Sequence, residues 1–236
     1  MLYVTTAVRN RFKITKEFVT LLKKQTFIDY KLILVDDGST DDTDKMVKEE
    51  LPESVILYGN GNLWWGGSLH KIYKYIKKNI KNKNDFLLII NDDVRFDSEF
   101  FETAIKLLKE NSKTIITSLG FSSKSAQLKD GAFFYDFKSG LFKLLYPGTG
   151  GNCASTRALF LRIGDFLDVG GFHPILLPHY ASDYEWTIRA WRKGYKIVSF
   201  ENLKYEINED TTGLHNYNNL NKINFMKKIF HKINFI

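Results

Sequence analysis

In the segment Tyr30-Lys31-Leu32-Ile33-Leu34-Val35-Asp36-Asp37-Gly38-Ser39-Thr40, a nearly continuous apolar run ends abruptly in two aspartates and a turn. An apolar run of this length without polar alternation is typical of a strand buried on both faces of a parallel sheet. Ser39 or Thr40 can cap a helix that has Asp41 and Asp42 in its first turn and runs to about Leu51. The segment therefore predicts one βα unit of a parallel α/β sheet.

The same alternation continues on both sides of this segment. Further strands are predicted at Leu2–Ala7, Ser54–Tyr58 and Phe86–Ile90, and further helices at Thr15–Gln25 and Gly66–Lys78. Three βα units in series favour a mostly parallel central sheet with right-handed crossovers and flanking helices.

The regularity falls after residue 95. We still predict helices at 98–110 and 183–193, strands at 114–119 and 152–162, and a hairpin of 132–137 with 141–145. No repeat, linker or sharp boundary divides the chain, so the sequence predicts a single domain.

Composition excludes several classes of protein. The chain has 236 residues, 44% hydrophobic and 26% charged, which is close to the globular average and unlike a disordered, collagen-like or coiled-coil chain. Its one cysteine, Cys153, excludes an intramolecular disulfide framework and a cysteine-rich metal site, and favours a reducing, cytoplasmic setting. No run of about 18 apolar residues is present, and the N-terminus lacks a signal-peptide pattern.

The charge points to anionic partners. A formal net charge of +7 is compatible with phosphates, nucleic acid or a lipid surface. One lysine-rich stretch lies between Lys71 and Lys83, and another lies in the last fifteen residues. Such stretches are more often solvated helix faces than binding sites.

Acidic groups follow two of the predicted strands. Asp36-Asp37 ends the second strand, and Asn91-Asp92-Asp93 ends the fourth. Ligands of open parallel sheets bind at the carboxyl ends of the strands, where carboxylates repel each other unless a cation or donor separates them. Mg²⁺ or Mn²⁺ commonly binds one or two carboxylates together with substrate phosphates, so this edge is a candidate metal site.

Four segments in chain order resemble family 2 glycosyltransferases of the GT-A fold. They are Val4–Arg11, Val35–Thr43, Asn91-Asp92-Asp93 and Leu177–Arg189, the last followed by Gly194-Tyr195. The segment Gly59–Gly67, with Trp64-Trp65-Gly66-Gly67, is similar to a bacterial subset described as rhamnosyltransferase-like. The pattern departs from the family at Asn91, where Asp is usual, and at Ser182, where Glu is usual.

The resemblance implies an inverting sugar transfer from a nucleotide-diphosphate donor to a glycan or lipid-linked acceptor in surface polysaccharide synthesis. The donor would be a UDP- or dTDP-sugar, and the subset leans toward dTDP-rhamnose. Residues 1–95 would form the nucleotide-binding half of a catalytic domain and 96–215 its acceptor-binding half, with 216–236 as a basic tail.

The resemblance also implies roles for individual residues. Asp93 would hold Mn²⁺ or Mg²⁺, with His215 as a candidate third ligand, and Asp183 would be the catalytic base, with Glu185 as the alternative. His179 and Trp186 would contact the acceptor. The donor nucleotide would be bound by Thr6, Ala7, Arg9, Asp36, Asp37, Trp65, Gly66, Gly67 and Asp92.

Physical expectations accompany two of these assignments. Two adjacent tryptophans tend to point opposite ways, so one can pack in the core while the other lines the site. Asp183 opens a predicted helix, and the helix dipole should keep its carboxylate ionised.

Two other classes of function remain open. A metal-dependent sugar nucleotidyltransferase also places acidic residues at strand ends, but it would be expected to carry a glycine-rich phosphate loop, and Thr5–Arg11 contains no glycine. A basic nucleic-acid-binding module fits the charge but shows no recognised motif.

The C-terminal tail has its own pattern. Apolar residues recur at helical spacing between Ile223 and Ile236, with lysines beside them. This pattern predicts a basic amphipathic helix in residues 221–236, which would either contact a membrane from the cytoplasmic face or pack on protein.

Overall fold

The computed structural model describes residues 1–208, which form six helices and fourteen strands. The helices are α1 (Phe12–Lys23), α2 (Thr43–Glu50), α3 (Trp64–Asn79), α4 (Phe100–Glu110), α5 (Ile163–Val169) and α6 (Ser182–Arg192). The first seven strands are β1 (Leu2–Val8), β2 (Tyr30–Asp36), β3 (Val55–Tyr58), β4 (Phe86–Ile90), β5 (Val94–Arg95), β6 (Thr114–Thr117) and β7 (Leu119–Ser122). The remaining strands are β8 (Leu128–Asp130), β9 (Ala132–Tyr135), β10 (Phe142–Leu144), β11 (Cys153–Ala154), β12 (Ala158–Arg162), β13 (Lys196–Val198) and β14 (Lys204–Ile207).

A seven-stranded sheet forms the centre of the molecule, in the order β13-β6-β12-β4-β1-β2-β3. Its neighbours pair in parallel except β12, which is antiparallel to both β4 and β6. The prediction of a mostly parallel α/β sheet is confirmed. Strands from both halves of the chain share this one sheet.

The central sheet is buried on both faces, as the apolar run of β2 predicts. Leu32 and Leu34 face a core that includes apolar residues of α1, α2 and α4. Ile33 and Val35 face a second core that includes apolar residues of α3, α5 and α6. Alternate residues of one strand thus enter opposite cores, which explains why the strand has no polar face.

Two small sheets complete the described chain, in the orders β10-β9-β11 and β5-β14-β7-β8. The predicted hairpin is confirmed as β9 and β10. The single strands predicted at 152–162 and 114–119 are wrong in detail, since each is divided between two sheets: β11 and β12 in the first case, β6 and β7 in the second.

The start of α2 also differs from the prediction. The helix begins at Thr43 after Asp42, which has a positive φ of 60° and makes no side-chain cap. The Ser39 hydroxyl instead accepts a hydrogen bond from Asn10 N, and Thr40 N donates to Asn10 Oδ1. These bonds join the loop after β1 to the loop after β2, beside the candidate site.

Candidate active site

Three adjacent strands bring the predicted donor residues to one edge of the sheet. β1 lies between β2 and β4, with Val8 opposite Asp36 and Thr5 opposite Ile89. All three strands run in the same direction, so their carboxyl ends meet at one edge. The loops that leave this edge carry Arg9, Asp36-Asp37 and Asp92-Asp93.

An arginine that the sequence did not single out holds the acidic pair after β4. Arg11 Nε donates to Asp92 Oδ1 and Oδ2 at 3.0 and 3.1 Å, and its terminal nitrogen lies 3.2 Å from Asp93 Oδ2. Thr15 Oγ1 also donates to Asp92, at 2.9 Å. Burial alone would lower the pKa of Arg11, but the two carboxylates raise it above its ordinary value. Asp92 thus braces α1 against β4, and one guanidinium cannot neutralise both carboxylates.

The chemistry of this pair fits a hard divalent cation. Asp92 and Asp93 are both buried and border a cavity of about 400 Å³ between α1 and β5, which Asn208 also lines. Mn²⁺ and Mg²⁺ accept one or two carboxylates when phosphate oxygens supply further ligands. Within residues 1–208 no group of three or more acidic, histidine or cysteine side chains could hold a metal. Such an ion would therefore need donor oxygens as well as Asp93, and the candidate ligand His215 lies outside the described residues.

The residues predicted to surround the nucleotide base lie at the ends of β1 and β2 and in the loop after β1. Thr6 is buried, and its hydroxyl has no hydrogen-bond partner among residues 1–208. Ala7 is half-buried and Arg9 is exposed. Asp36 is buried and accepts the N–H of Ser39 through Oδ1 at 2.7 Å. Thr6 is fully buried, so its predicted contact with the nucleotide stays a prediction.

Asp37 organises the loop that leads into α3. Its Oδ1 accepts the N–H of Gly61 at 2.8 Å, and its Oδ2 accepts those of Leu63 at 2.9 Å and Trp64 at 3.2 Å. Arg9 Nη1 donates to the Gly61 carbonyl of the same loop at 2.5 Å. All of these contacts of Asp37 lie within the chain, so this residue supports the loop that leads into α3.

The two tryptophans lie in different environments, as expected. The ring that packs on the core is that of Trp65, although Trp65 was the one assigned to the donor. Trp65 is half-buried against the second core, and its Nε1 donates to Thr156 Oγ1 at 2.9 Å. Trp64 is 55% exposed and has a positive φ of 54°. Trp64 is therefore the tryptophan of the pair whose ring is exposed to solvent.

The glycines after the tryptophans allow two parts of the chain to approach closely. Gly66 N donates to the Pro178 carbonyl at 2.8 Å, and a Cβ at Gly66 would lie 2.3 Å from the Leu177 carbonyl oxygen. Gly67 is also buried, with a Cβ position 3.3 Å from the Leu63 Cβ. At Gly66 the group that approaches closely is the loop before α6.

The candidate base lies at the start of α6. The Asp183 carboxylate accepts the Tyr184 N–H at 3.0 Å. Burial raises the pKa of Asp183 to about 6, although hydrogen bonds from the Tyr184 and Thr156 backbones act in the opposite direction. The helix dipole was expected to keep this pKa low, and desolvation is the larger effect. A carboxylate with this pKa is largely ionised at pH 7 and is more basic than an exposed one.

Glu185, the alternative base, and Trp186, a predicted acceptor contact, both make structural contacts. Glu185 is buried and forms an ion pair with Arg189, whose guanidinium also donates to the Val169 and Gly171 carbonyls. Trp186 is 0% exposed, and its Nε1 donates to the Gly170 carbonyl. The prediction that Trp186 contacts the acceptor is therefore wrong, since its ring is part of the core.

His179 lies at the surface of the loop before α6. Its ring centroid is 5.2 Å from that of Trp64 and 4.2 Å from that of Tyr180. Burial lowers the pKa of His179, so the ring is neutral at pH 7, and its Nδ1 has no hydrogen-bond partner among residues 1–208. Because Nδ1 is itself buried, a ligand can meet this ring only through its other atoms, and the acceptor contact of His179 stays a prediction.

A buried network that no sequence motif marks supports the loop between β11 and β12. Asp130 Oδ2 accepts hydrogen bonds from Ser155 Oγ at 2.6 Å and Tyr205 Oη at 2.7 Å, and lies 3.3 Å from Arg157 Nη1. The same loop carries Thr156, whose hydroxyl accepts a hydrogen bond from Trp65 Nε1 and whose backbone donates one to the Asp183 carboxylate. The network therefore supports the loop that joins Trp65 at the start of α3 to the candidate base at the start of α6.

Comparison with known proteins identifies the class to which this fold and site belong. The family model described as "Glycosyl transferase family 2" matches residues 3–163, which is more than half of the chain. The chain belongs to this family, and its fold is GT-A. No curated protein matches the sequence.

Several solved structures share the fold. GalNAc-T7 with UDP, GalNAc and Mn²⁺ has a TM-score of 0.70 at 13% identity, over 88% of this chain and 43% of that one. The mannosyltransferase PcManGT from Pyrobaculum calidifontis, in complex with GDP-Man and Mn²⁺, has a TM-score of 0.64 at 12% identity, over 87% and 56%. S. aureus TarS 1–349 has a TM-score of 0.64 at 18% identity, over 87% and 60%. The alignments thus span less than two thirds of each of these longer proteins.

Among residues 1–208, no helix is both long and apolar enough to cross a membrane.

Proposed function

We propose that this chain is a metal-dependent inverting glycosyltransferase. It would move a sugar from a UDP- or dTDP-sugar, with dTDP-rhamnose the leading candidate, to a hydroxyl of a glycan or lipid-linked acceptor in surface polysaccharide synthesis. The observation that carries the proposal is the half-buried Asp183 carboxyl at the start of α6, whose pKa desolvation raises to about 6 and which the Thr156 loop links to the donor edge of the sheet. Family membership and the neighbours crystallised with UDP or GDP-Man and Mn²⁺ support it.

The donor nucleotide would lie across the ends of β1 and β2. The Asp36 carboxylate can accept the N3–H of uracil or thymine, and Thr6 lies on the adjacent strand. Ala7 and Arg9 would flank the base and ribose. Asp93 would hold Mn²⁺ or Mg²⁺ together with the diphosphate, and the ion would offset the charge of the departing nucleoside diphosphate.

The transfer itself uses the base at α6. Asp183 accepts the proton of the acceptor hydroxyl while the hydroxyl oxygen forms a bond to the anomeric carbon. The bond from that carbon to the diphosphate oxygen breaks, and its electron pair leaves with the nucleoside diphosphate. Attack from the face opposite the leaving group inverts the anomeric configuration.

Release of nucleoside diphosphate tests this function. The full chain would be incubated with Mn²⁺ and a panel of UDP-, dTDP- and GDP-sugars, and we expect release from a subset of these donors that stops on chelation. Thermal stabilisation by UDP or dTDP should likewise require the metal.

The same assay separates the alternatives. Production of pyrophosphate from a nucleoside triphosphate and a sugar phosphate, without diphosphate release from any nucleotide sugar, would identify a nucleotidyltransferase instead. Stabilisation by an oligonucleotide alone would identify a nucleic-acid-binding module.

A second part of the proposal concerns location. We place the enzyme in the cytoplasm, with residues 221–236 contacting the inner face of the membrane; these residues lie outside the described part of the chain. Sedimentation with anionic liposomes compares the full chain with a chain ending at residue 220, and equal binding of the two would reject this role for the tail.

A further inference from the structure

Three aromatic side chains form a continuous patch beside the candidate base. The ring of His179 lies between those of Trp64 and Tyr180, with interplanar angles of 46° and 44°. The outer two rings are 55% and 51% exposed. Single exposed apolar residues are common, but large aromatic rings that contact each other and remain open to solvent indicate a binding surface.

The backbone holds this patch in a strained conformation at both ends. Trp64 and Ala181 have positive φ angles of 54° and 64°, a region that L-residues with a Cβ rarely adopt. Asp37 accepts the N–H of Trp64, and the bond from Gly66 N to the Pro178 carbonyl joins the two loops at 2.8 Å. These contacts hold the strained backbone in place, so the exposure of the rings is a fixed feature of the fold. Strain of this kind is concentrated at functional sites.

The patch adjoins the residue that would remove the acceptor proton. Tyr180 precedes Asp183 by three residues, and a Cβ at Gly66 would lie 3.2 Å from the Ser182 Cβ. The first turn of α3, which begins with Trp64, therefore contacts the first residue of α6. A molecule resting on the aromatic rings would lie close to the Asp183 carboxylate.

The chemistry of the patch matches one class of ligand. The faces of aromatic rings carry negative charge, and the C–H groups on the apolar face of a sugar ring carry partial positive charge. Such a face can stack on Trp64 or Tyr180 while its hydroxyls remain free for hydrogen bonds. The ring of His179, which contacts both of the larger rings, makes the stacking surface continuous.

We propose that Trp64, His179 and Tyr180 form a stacking platform that binds a sugar ring of the acceptor. This inference rests on the proposed function and makes it more specific, because it identifies the acceptor as a carbohydrate recognised through the apolar face of its ring. Trp64 is then a residue that determines acceptor specificity, and the neighbouring Trp65 is structural.

Direct binding of simple sugars tests the platform without requiring turnover. Saturation-transfer difference NMR would be recorded on the full chain with methyl glycosides of glucose, galactose, rhamnose and N-acetylglucosamine. We expect at least one glycoside to bind, and Trp64→Ala or Tyr180→Ala to weaken its binding by about tenfold or more, which corresponds to about 1.4 kcal/mol. Trp64→Phe should retain most of the binding.

Trp191→Ala is the matched control, since this tryptophan is also exposed but lies near the other end of α6, stacked on Phe137. It should bind glycosides as the unmodified chain does. Thermal stabilisation by UDP with Mn²⁺ should be unchanged in all of these variants, and this measurement also verifies that they fold.

Three results would overturn the platform. They are the absence of glycoside binding to the unmodified chain, an equal loss in Trp191→Ala, and a loss of UDP stabilisation in Trp64→Ala with glycoside binding intact. The last result would make Trp64 a donor contact. Failure of the proposed function is a different observation, in which glycosides bind but no nucleotide sugar releases its diphosphate.

Discussion

Glu185 and Arg189 form a two-point ion pair one turn apart on helix α6, with Nε–Oε1 and Nη2–Oε2 distances of 2.8 and 3.1 Å. The guanidinium continues to the carbonyls of Val169 and Gly171, so the pair fixes α6 to the end of α5. No cation pairs with Asp183 in the described part of the chain. Of the two carboxylates at the start of α6, Asp183 is therefore the one available to accept a proton.

This difference predicts opposite results for two isosteric variants. Asp183→Asn should reduce transfer by about 10²-fold or more, because it removes the base but keeps the shape, while UDP binding with Mn²⁺ stays unchanged. Glu185→Gln should instead lower the free energy of unfolding by about 1–3 kcal/mol, because it weakens a hydrogen-bonded ion pair. Steady-state kinetics and urea unfolding measure the two effects.

The reverse pattern would reassign the base. Normal transfer by Asp183→Asn together with an inactive, stably folded Glu185→Gln would make Glu185 the base. Activity in both variants would reject the inverting mechanism proposed for this site.

The raised pKa of Asp183 predicts how activity depends on pH. Only the ionised carboxylate accepts a proton, so kcat/KM should rise with pH and level off above about 6, the pKa of this group. A rate profile between pH 4.5 and 8.5, with the donor saturating, measures the midpoint. Asp183→Asn should lose this limb, and a midpoint near pH 4 would show that burial does not control the group.

The same pKa predicts a stability effect of known sign. A carboxyl whose pKa is higher in the folded than in the unfolded state destabilises the fold when it ionises, and this cost grows from about pH 4 to about pH 6. Asp183→Asn should therefore stabilise the protein above pH 6, by about 1–3 kcal/mol, and much less near pH 4. Urea unfolding of both proteins at pH 5 and pH 8 gives the difference, and an equal effect at the two values would contradict the assignment.

The central fold could be predicted because local pattern and tertiary environment agree there. The apolar run Leu32–Val35 has no polar face, and the structure buries it between two cores. The strand predicted at 152–162 failed because pattern alone does not show where a chain changes sheets. Cys153 pairs with Phe133 in one sheet, and Ala158 pairs with Ile90 in another. The Ser155–Arg157 loop between them is too short for the sequence pattern to show a break in the strand.

The site was predictable only where motifs mark it. Asp36 and Asp93 follow strong strand signals, and the sheet brings them to one edge. Arg11, Thr156 and Asp130 carry no local signal, because their roles arise from contacts with residues that are distant in the chain. The burial of Trp186 could not be predicted either, because helical spacing alone does not show whether its ring faces the core or the acceptor.

Asp93 can be tested as the metal ligand against its neighbours. Asp93→Ala should abolish transfer and metal-dependent stabilisation by UDP, because the ion would lose its proposed charged ligand. Asp92, the other member of the acidic pair, is held by Thr15. Thr15→Val removes only the hydrogen bond to Asp92 and should cost about 1 kcal/mol of stability with the metal response intact. Near-normal turnover of Asp93→Ala with Mn²⁺ would exclude the residue as a ligand.

Asp36 should affect the nucleotide and not the metal. Asp36→Ala would remove the proposed charge-assisted hydrogen bond to the base and should weaken UDP binding by about 1–3 kcal/mol. It also removes the acceptor of the Ser39 N–H. Calorimetry with UDP measures the change, and inorganic diphosphate with Mn²⁺ is the control ligand because it lacks a base. An unchanged Kd for UDP would remove Asp36 from the site.

Two adjacent glycines provide a last test of how the loop before α6 is held. A Cβ at Gly66 would lie 2.3 Å from the Leu177 carbonyl oxygen, a distance that real Cβ atoms do not reach, so Gly66→Ala must displace the loop that leads to Asp183. Overpacking of this kind costs about 1–3 kcal/mol, and the shift of α6 should lower kcat as well. A Cβ at Gly67 would meet the Leu63 Cβ at 3.3 Å, a tight contact that the gain in helix propensity offsets, so Gly67→Ala should stay within about 1 kcal/mol of the unmodified chain. Thermal unfolding and steady-state kinetics of the two variants measure the effect of an added methyl group at each position. If both variants behave alike, the contact between α3 and the 177–178 loop does not position the base.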